Sequence, residues 1–270
     1  MKSSYYYGVK PKLISLDTIK TKALIRQIFN DSKHSAGARS IAAILMNEHN
    51  IKLTRYMAGQ LMAQMGLKSC QLKAHKYKHC DEAHKTHENL LNRNFSPTAP
   101  NQVWAGDVTY IRIKGGWCYL AVVLDLYARR VVGFAVSDSP DSMLTTKALQ
   151  MAYQTRLKPS GVLFHSDQGT HYTSKKFAES VASCDGMKQS MSRKGNCWDN
   201  APTERFFRSF KTEWMLKGGY ENIAEAKSAI VDYIWGYYQT VRPHRFNDYL
   251  PPLEKEKRYF NQNLLLGVLN

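Results

Sequence analysis

Three acidic residues of this 270-residue chain stand where a surface charge is not the obvious explanation. Asp107 sits in the middle of the alternating segment Trp104–Ile113, between Gly106 and Val108. A carboxylate buried in a strand is costly unless it is paired or binds a metal. Asp167 follows the apolar run Val162–His165, in the turn His165-Ser166-Asp167-Gln168-Gly169. Strand ends are where sheets present functional groups, and a glycine there lets a ligand come close. Glu204 opens a helical segment with Asn200 as the expected N-cap and Pro202 in the first turn. Helical spacing sets Glu204, Arg208 and Lys211 on one face and Phe207, Phe210 and Trp214 on another. Two Asp and one Glu without a clustered His form a hard-oxygen set, suited to Mg²⁺ or Mn²⁺. Two such ions about 3.5–4 Å apart activate an attacking oxygen and stabilise a departing one at a phosphodiester. Taken singly, each acid is more often structural than catalytic: Glu204 reads as an i,i+4 partner of Arg208 and Asp199 as a helix cap, while Asp125, ending the second strand, is a rival that could line the same cleft.

The elements that must position these groups follow from hydrophobic periodicity. Trp104–Ile113, Trp117–Leu126 and Arg130–Val136 read as strands of an antiparallel meander, the first turn supplied by Gly115-Gly116. Ser142–Arg156 and Ser174–Ser183 read as helices, and Gly161–His165 and Met187–Met191 as a fourth and fifth strand. The order βββαβαβα predicts an α/β fold, a mixed five-stranded sheet with flanking helices. Ahead of it, residues 12–68 read as three short helices. The first carries Leu16, Ile19, Leu24 and Ile28 and stops near Asp31–Ser35. The second, Ala38–Glu48, carries Ile41, Ile44 and Leu45. The third has Thr54 as N-cap, Met57, Leu61 and Met65 on one face, and Gly66 as C-cap. Such helices on a basic chain suggest a helix-turn-helix whose second helix enters a major groove, and a plain three-helix bundle stays open. Residues 69–100, rich in Lys and His and closed by Pro97 and Pro100, read as a basic linker before a catalytic region of residues 101–260 with a helical C-terminal extension. Cys70, His75, His79, Cys80, His84 and His87 are zinc-capable, yet their spacing fits no common finger and Lys73, Lys76, Lys78 and Lys85 would oppose a cation.

Composition narrows the partners. Lys plus Arg is 38 against 22 for Asp plus Glu, a net charge of +16 that favours a polyanion, nucleic acid above all. Arg193, Lys194, Arg208 and Lys211 are the expected phosphate contacts, which position DNA without reading its sequence. An apolar fraction of 43% and a charged fraction of 22% exclude collagen, coiled coil and wholesale disorder. No apolar run reaches membrane-spanning length, and Met1–Lys12 lacks a signal-type stretch, so the expected location is the cytoplasm. Five scattered cysteines (70, 80, 118, 184 and 197) without a CxxC pair suit reduced thiols.

The ordered motifs carry a resemblance. Trp104-Ala105-Gly106-Asp107-Val108-Thr109-Tyr110-Ile111, then Tyr119–Leu126 with Arg129-Arg130-Val131-Val132-Gly133, then His165–Gly169, Ser190–Ala201, Glu204-Arg205-Phe206-Phe207 and Arg242-Pro243-His244 resemble DDE transposases related to retroviral integrases. Within that group they are similar to the orfB product of insertion sequences whose transposase is split into overlapping orfA and orfB frames. The resemblance implies a ribonuclease-H-like core in which Asp107, Asp167 and Glu204 coordinate two divalent ions, Mg²⁺ or Mn²⁺. It implies metal-dependent cleavage and strand transfer of double-stranded DNA, at element ends and target, with no covalent protein intermediate. It also implies a homo-oligomer on DNA, an orfA product or orfA–orfB fusion as partner, and association with the nucleoid when bound. Two positions depart from the pattern: 36 residues separate Asp167 from Glu204, one more than usual, and Gln239 stands where Asn is common. A nuclease of the same fold that cuts without joining, and a non-catalytic DNA-binding repressor, are the alternative readings.

Overall fold

The computed structural model describes residues 16–70, 87–193 and 196–268, which fall into two compact units divided after Cys70. The first unit holds three helices, α1 (Leu16–Asp31), α2 (Ala38–His49) and α3 (Arg55–Gln64). Their boundaries are set by local chemistry. Thr54 Oγ1 accepts the Met57 N–H at 3.2 Å and starts α3, and Asn50 in the left-handed region ends α2. The buried faces differ from the sequence expectation. Ile25, Ile28 and Phe29 of α1 meet Ile41, Ile44 and Leu45 of α2, whereas Leu16 and Ile19 are exposed. On α3, Ala58 and Met62 are buried and Met57 is exposed, so the inward stripe lies one residue on from the Met57–Leu61–Met65 row. The tight approach favours the small Ala58, a choice that hydrophobic spacing weighted by size does not make.

The second unit is a mixed sheet with helices on both faces. Its strands are β1 (Val103–Ile113), β2 (Gly116–Asp125), β3 (Arg130–Ser137), β4 (Leu163–Ser166) and β5 (Lys188–Met191), in the spatial order β3-β2-β1-β4-β5. β1, β2 and β3 form the expected antiparallel meander, and β4 and β5 join parallel to β1. Between them run α4 (Ser142–Thr155), the single turn α5 (Thr170–Thr173) and α6 (Lys175–Ala182). After β5 a 3-10 turn, Cys197–Asn200, leads directly into α7 (Ala201–Glu213). The chain ends in α8 (Ile223–Val231), a π-helical segment (Asp232–Tyr238) and α9 (Pro252–Val268).

Two apolar cores lie on opposite faces of the sheet. On one, Ala105, Ile111, Val122 and Leu124 pack beneath Phe206, Phe207, Phe210 and Trp214 of α7 and the tyrosines of the π-helical segment. On the other, Trp104, Ala121, Val123 and Phe164 pack against α4 and α6. The wider π turn lets Tyr233, Tyr237 and Tyr238 all enter one core, with Tyr237 stacked on Trp214 at 5.1 Å between ring centroids. A buried ionic group holds α9. Arg156 binds Asp125 at 2.8 Å and also Glu256, which in turn accepts Arg130 at 2.6 Å. Asp125 thereby has a structural partner, and it also accepts the Asn101 and Tyr127 amides.

Residues 71–86 of the expected linker, with His75, His79, Cys80 and His84, lie outside the described residues. Residues 88–95 are built into the second unit. Leu91 is buried in its core, and the Leu90 and Leu91 amides donate to Ser190 Oγ at 3.0 and 3.3 Å.

Candidate active site

Parallel pairing of β1 with β4 runs Val103–Leu163, Trp104–Phe164, Ala105–His165. Continued by two residues, that register sets Asp167 level with Asp107, both on the face that carries Ala105 and His165. The same face of β1 lies under α7, whose first turn carries Glu204. Asn200 Nδ2 donates to the Gly106 carbonyl at 3.1 Å and ties the start of α7 to the strand beside Asp107. Asn200 was expected to cap α7, but its side chain makes no cap bond: with Nδ2 turned to the Gly106 carbonyl, Oδ1 is left buried without a partner.

The three acids are electrostatically coupled. Burial pushes the Asp107 carboxyl well above its ordinary range, and the neighbouring charges of Asp167 and Glu204 raise it further, against the Val108 amide and Lys211. Burial raises Glu204 too, with Arg208 opposing and Asp167 adding. Lys211 is lowered by desolvation although Asp107 attracts it. Asp107 Oδ1 accepts the Val108 N–H at 2.8 Å and Asp167 Oδ1 the Gly169 N–H at 3.0 Å, so backbone fixes both carboxylates. Among the described residues no three His, Cys, Asp or Glu side chains close to metal-holding distance. Like charges brought together in a desolvated place favour a cation beside them. The hard-oxygen donor set, two of its members held by backbone amides, is of the chemistry that suits such an ion.

Groups that sequence reading did not single out complete the neighbourhood. The Tyr172 hydroxyl is buried and driven up first by burial, then by the charges of Asp107 and Asp167. His171 Nε2 is buried without a hydrogen-bond partner, and burial lowers the ring's pKa against the pull of Asp167. A side chain on Gly169 would stand 2.8 Å from His171 Cε1 and 3.0 Å from Asp167 Oδ1, so the glycine makes room for its own neighbours. Gly106 similarly admits the Phe164 ring, 2.6 Å from where a Cβ would sit. His165 lies fully buried between Ser190 Oγ (2.9 Å) and Ser192 Oγ (3.3 Å). The alternation of residues in the motif names these positions, but only the β4–β5 pairing shows what they touch.

The basic candidates fall in different settings. Arg208 faces Glu204 and Lys211 faces Asp107. Lys194 lies outside the described residues. Arg193 is bound by Asp199 through Nε at 2.9 Å and Nη2 at 3.0 Å. Asp199, expected as a cap, is fully buried and serves as an ion-pair centre instead, because α7 begins beyond it. Arg242 of the Arg-Pro-His motif binds Glu213 through two nitrogens and Ser209 through one, joining the end of α7 to the chain after the π-helical segment. In the first unit, Tyr56 and Gln60 lie exposed on α3, joined by a 2.8 Å hydrogen bond.

Comparison with known proteins gives concordant results. Residues 97–197 and 185–252 match models described as integrase core domain, and residues 16–75 match an HTH-like domain. The transposase for insertion sequence element IS904 of Lactococcus lactis is 37% identical, covering 86% of this chain and 92% of that protein. The putative transposase InsK for insertion sequence element IS150 of Escherichia coli is 31% identical, covering 99% of this chain and 92% of its own. Among solved structures, the HTLV-2 integrase catalytic core domain in complex with magnesium is 24% identical, covering 42% of this chain and 70% of that chain, with a TM-score of 0.35. The mixed sheet with its flanking helices is thus an integrase core domain, and it follows an HTH-like helical region. Identity of this extent along nearly the whole of these two relatives means that the chain belongs to the integrase-core transposases of insertion sequences.

Proposed function

We propose that this protein is the catalytic subunit of insertion-sequence transposition, cleaving and joining DNA phosphodiesters with Asp107, Asp167 and Glu204 as its metal-binding acids. The observation that supports it most is the β1–β4 register, which, if continued by two residues, would level Asp107 with Asp167 on the sheet face covered by the helix that bears Glu204. Mg²⁺ or Mn²⁺, two ions when bound, supplies activation of the attacking oxygen and stabilisation of the departing one. The chain's own residues provide the rest. The Val108 and Gly169 amides fix the two aspartates, and Arg208 and Lys211 place positive charge beside them for the DNA phosphate. The resemblance to DDE transposases implies that water and then a 3′-hydroxyl attack directly, with no covalent protein intermediate.

Residues 12–68 would bind the element ends, and the +16 charge would hold duplex DNA along the protein. The working state is a homo-oligomer on DNA, with an orfA product or as an orfA–orfB fusion. Among the described residues no helix is long and apolar enough to cross a membrane, and we place the protein in the bacterial cytoplasm, on the nucleoid. The test is a strand-transfer assay with a pre-cut element end. Asp107→Asn, Asp167→Asn and Glu204→Gln lose cleavage and joining by roughly a thousandfold, while each still binds the end. Full activity of Asp167→Asn overturns the assignment, and cleavage without joining in the parent protein favours the nuclease.

A further inference from the structure

We propose that Asp199 sets Arg93 and Arg193 as a two-armed clamp for one phosphate of the DNA backbone, at the turn that leads into α7. This rests on the proposed function and names a contact within it. Asp199 has no exposed side-chain surface, whereas the Arg93 and Arg193 side chains are 44% and 54% exposed. The buried carboxylate accepts five bonds: from Arg193 N, Nε and Nη2, from Arg93 Nε at 2.7 Å, and from Asn89 Nδ2 at 3.0 Å. Asn196 Oδ1 takes Arg93 Nη2 at 2.9 Å.

One negative charge serves two positive ones, so the group carries a surplus of one positive charge at the surface. The two arginines on Glu256 beneath α9 are 18% and 7% exposed, whereas this pair stands about half in solvent. Here two guanidinium groups from distant parts of the chain are oriented by the same buried anion, and neither spends all five of its N–H groups on it. Such forks match phosphate oxygens in geometry as well as charge. Glu204 lies five residues beyond Asp199, on the helix that the turn leads into, so the clamp belongs to the same end of α7 as the proposed acid.

The test titrates the full chain against a labelled duplex of the genomic sequence flanking the gene, at several salt concentrations. Arg93→Ala and Arg193→Ala each weaken binding roughly tenfold. The double variant loses less than the product of the two, as expected for two groups on one phosphate. Asp199→Asn discriminates by sign. It raises the net charge by one, so unstructured electrostatics predicts tighter binding, whereas the clamp predicts binding weakened about as much as by either arginine variant. Tighter binding by Asp199→Asn, or unchanged binding by both arginine variants, overturns the clamp. If circular dichroism shows that Asp199→Asn does not fold, the two surface arginines decide by themselves. A parent chain that binds no duplex removes the proposed function along with the clamp, whereas binding that ignores the arginines removes the clamp alone.

Discussion

His165 shows how much of this site depends on hydrogen positions. Ser190 Oγ already accepts the Leu90 and Leu91 amides, so its own proton points to His165 Nδ1. Nε2 then carries the ring proton toward Ser192 Oγ, whose hydroxyl turns to the Ser166 carbonyl at 3.2 Å. The ring works only when neutral, and burial, outweighing Asp199, pushes its pKa down to about 4 from 6.5. His244 is lowered in the same direction by burial and by Arg242, Arg129 and Arg205. The unfolded chain therefore takes up protons as pH falls below about 6.5 while the native histidines do not. Stability is complete above that value and is lost toward pH 4, on the order of 3 kcal/mol for His165. Urea midpoints measured across that range should fall steeply in the parent and less steeply in His165→Gln. An equal slope in both contradicts the neutral relay. Such a role was not legible in the sequence, where His165 is one letter of a motif and its serines lie 25 and 27 positions away. Asp107, Asp167 and Glu204 were singled out by the ordered motifs they share with DDE transposases, because residue type and position alone left each of them a structural reading. Asp199 was misread: adjacency to a helix start suggests a cap, and only the fold reveals Arg93, 106 positions away, as its partner.

Elements were more legible than contacts. The meander, α4 and the fifth strand follow from apolar runs broken by Gly and Ser-Asp turns, which are local signals. The π-helical segment and the seating of residues 88–95 on β5 were not readable, since both are decided by packing between distant segments. Close packing also explains Gly133 on β3. A Cβ there would stand 2.3 Å from the Ala148 carbonyl and 2.6 Å from the Ala152 nitrogen, both backbone atoms of α4. Neither can turn aside as a side chain would. Gly133→Ala should cost about 1–3 kcal/mol as an overpacked contact, read as a lower urea midpoint. An unchanged midpoint means that α4 can slide on the sheet. The ionic group beneath α9 makes a second element-scale prediction. Arg156→Met leaves Asp125 and Glu256 buried beside each other, with Arg130 alone to compensate. A loss of about 3–5 kcal/mol is expected. A loss below about 1 kcal/mol would show that α9 is held by its apolar contacts.

At the scale of the molecule, the two units own separate cores, and their unfolding should separate too. The first unit packs Ile25, Ile28, Phe29, Ile41, Ile44, Leu45, Ala58 and Met62, a small core from three helices. A unit of about 60 residues buries a smaller share of its surface than one three times larger, so it is the less stable of the two. The second unit contains the sheet, both apolar clusters and all three acids. A divalent ion bound by those acids stabilises only the unit that holds them, by about 2.7 kcal/mol when the ion is a hundredfold above its dissociation constant. Calorimetry of the full chain should thus show two transitions, and Mg²⁺ should raise only the upper one. Asp107→Asn removes that shift. The same substitution removes a like charge from a desolvated cluster, so without metal its upper transition should lie at or above that of the parent. Acids that merely stabilise the sheet would give the opposite pattern, with Asp107→Asn melting lower in the absence of metal and Mg²⁺ shifting neither protein. The direction of one melting temperature, measured with chelator and then with Mg²⁺, therefore separates a metal-binding cluster from a structural one without any DNA present.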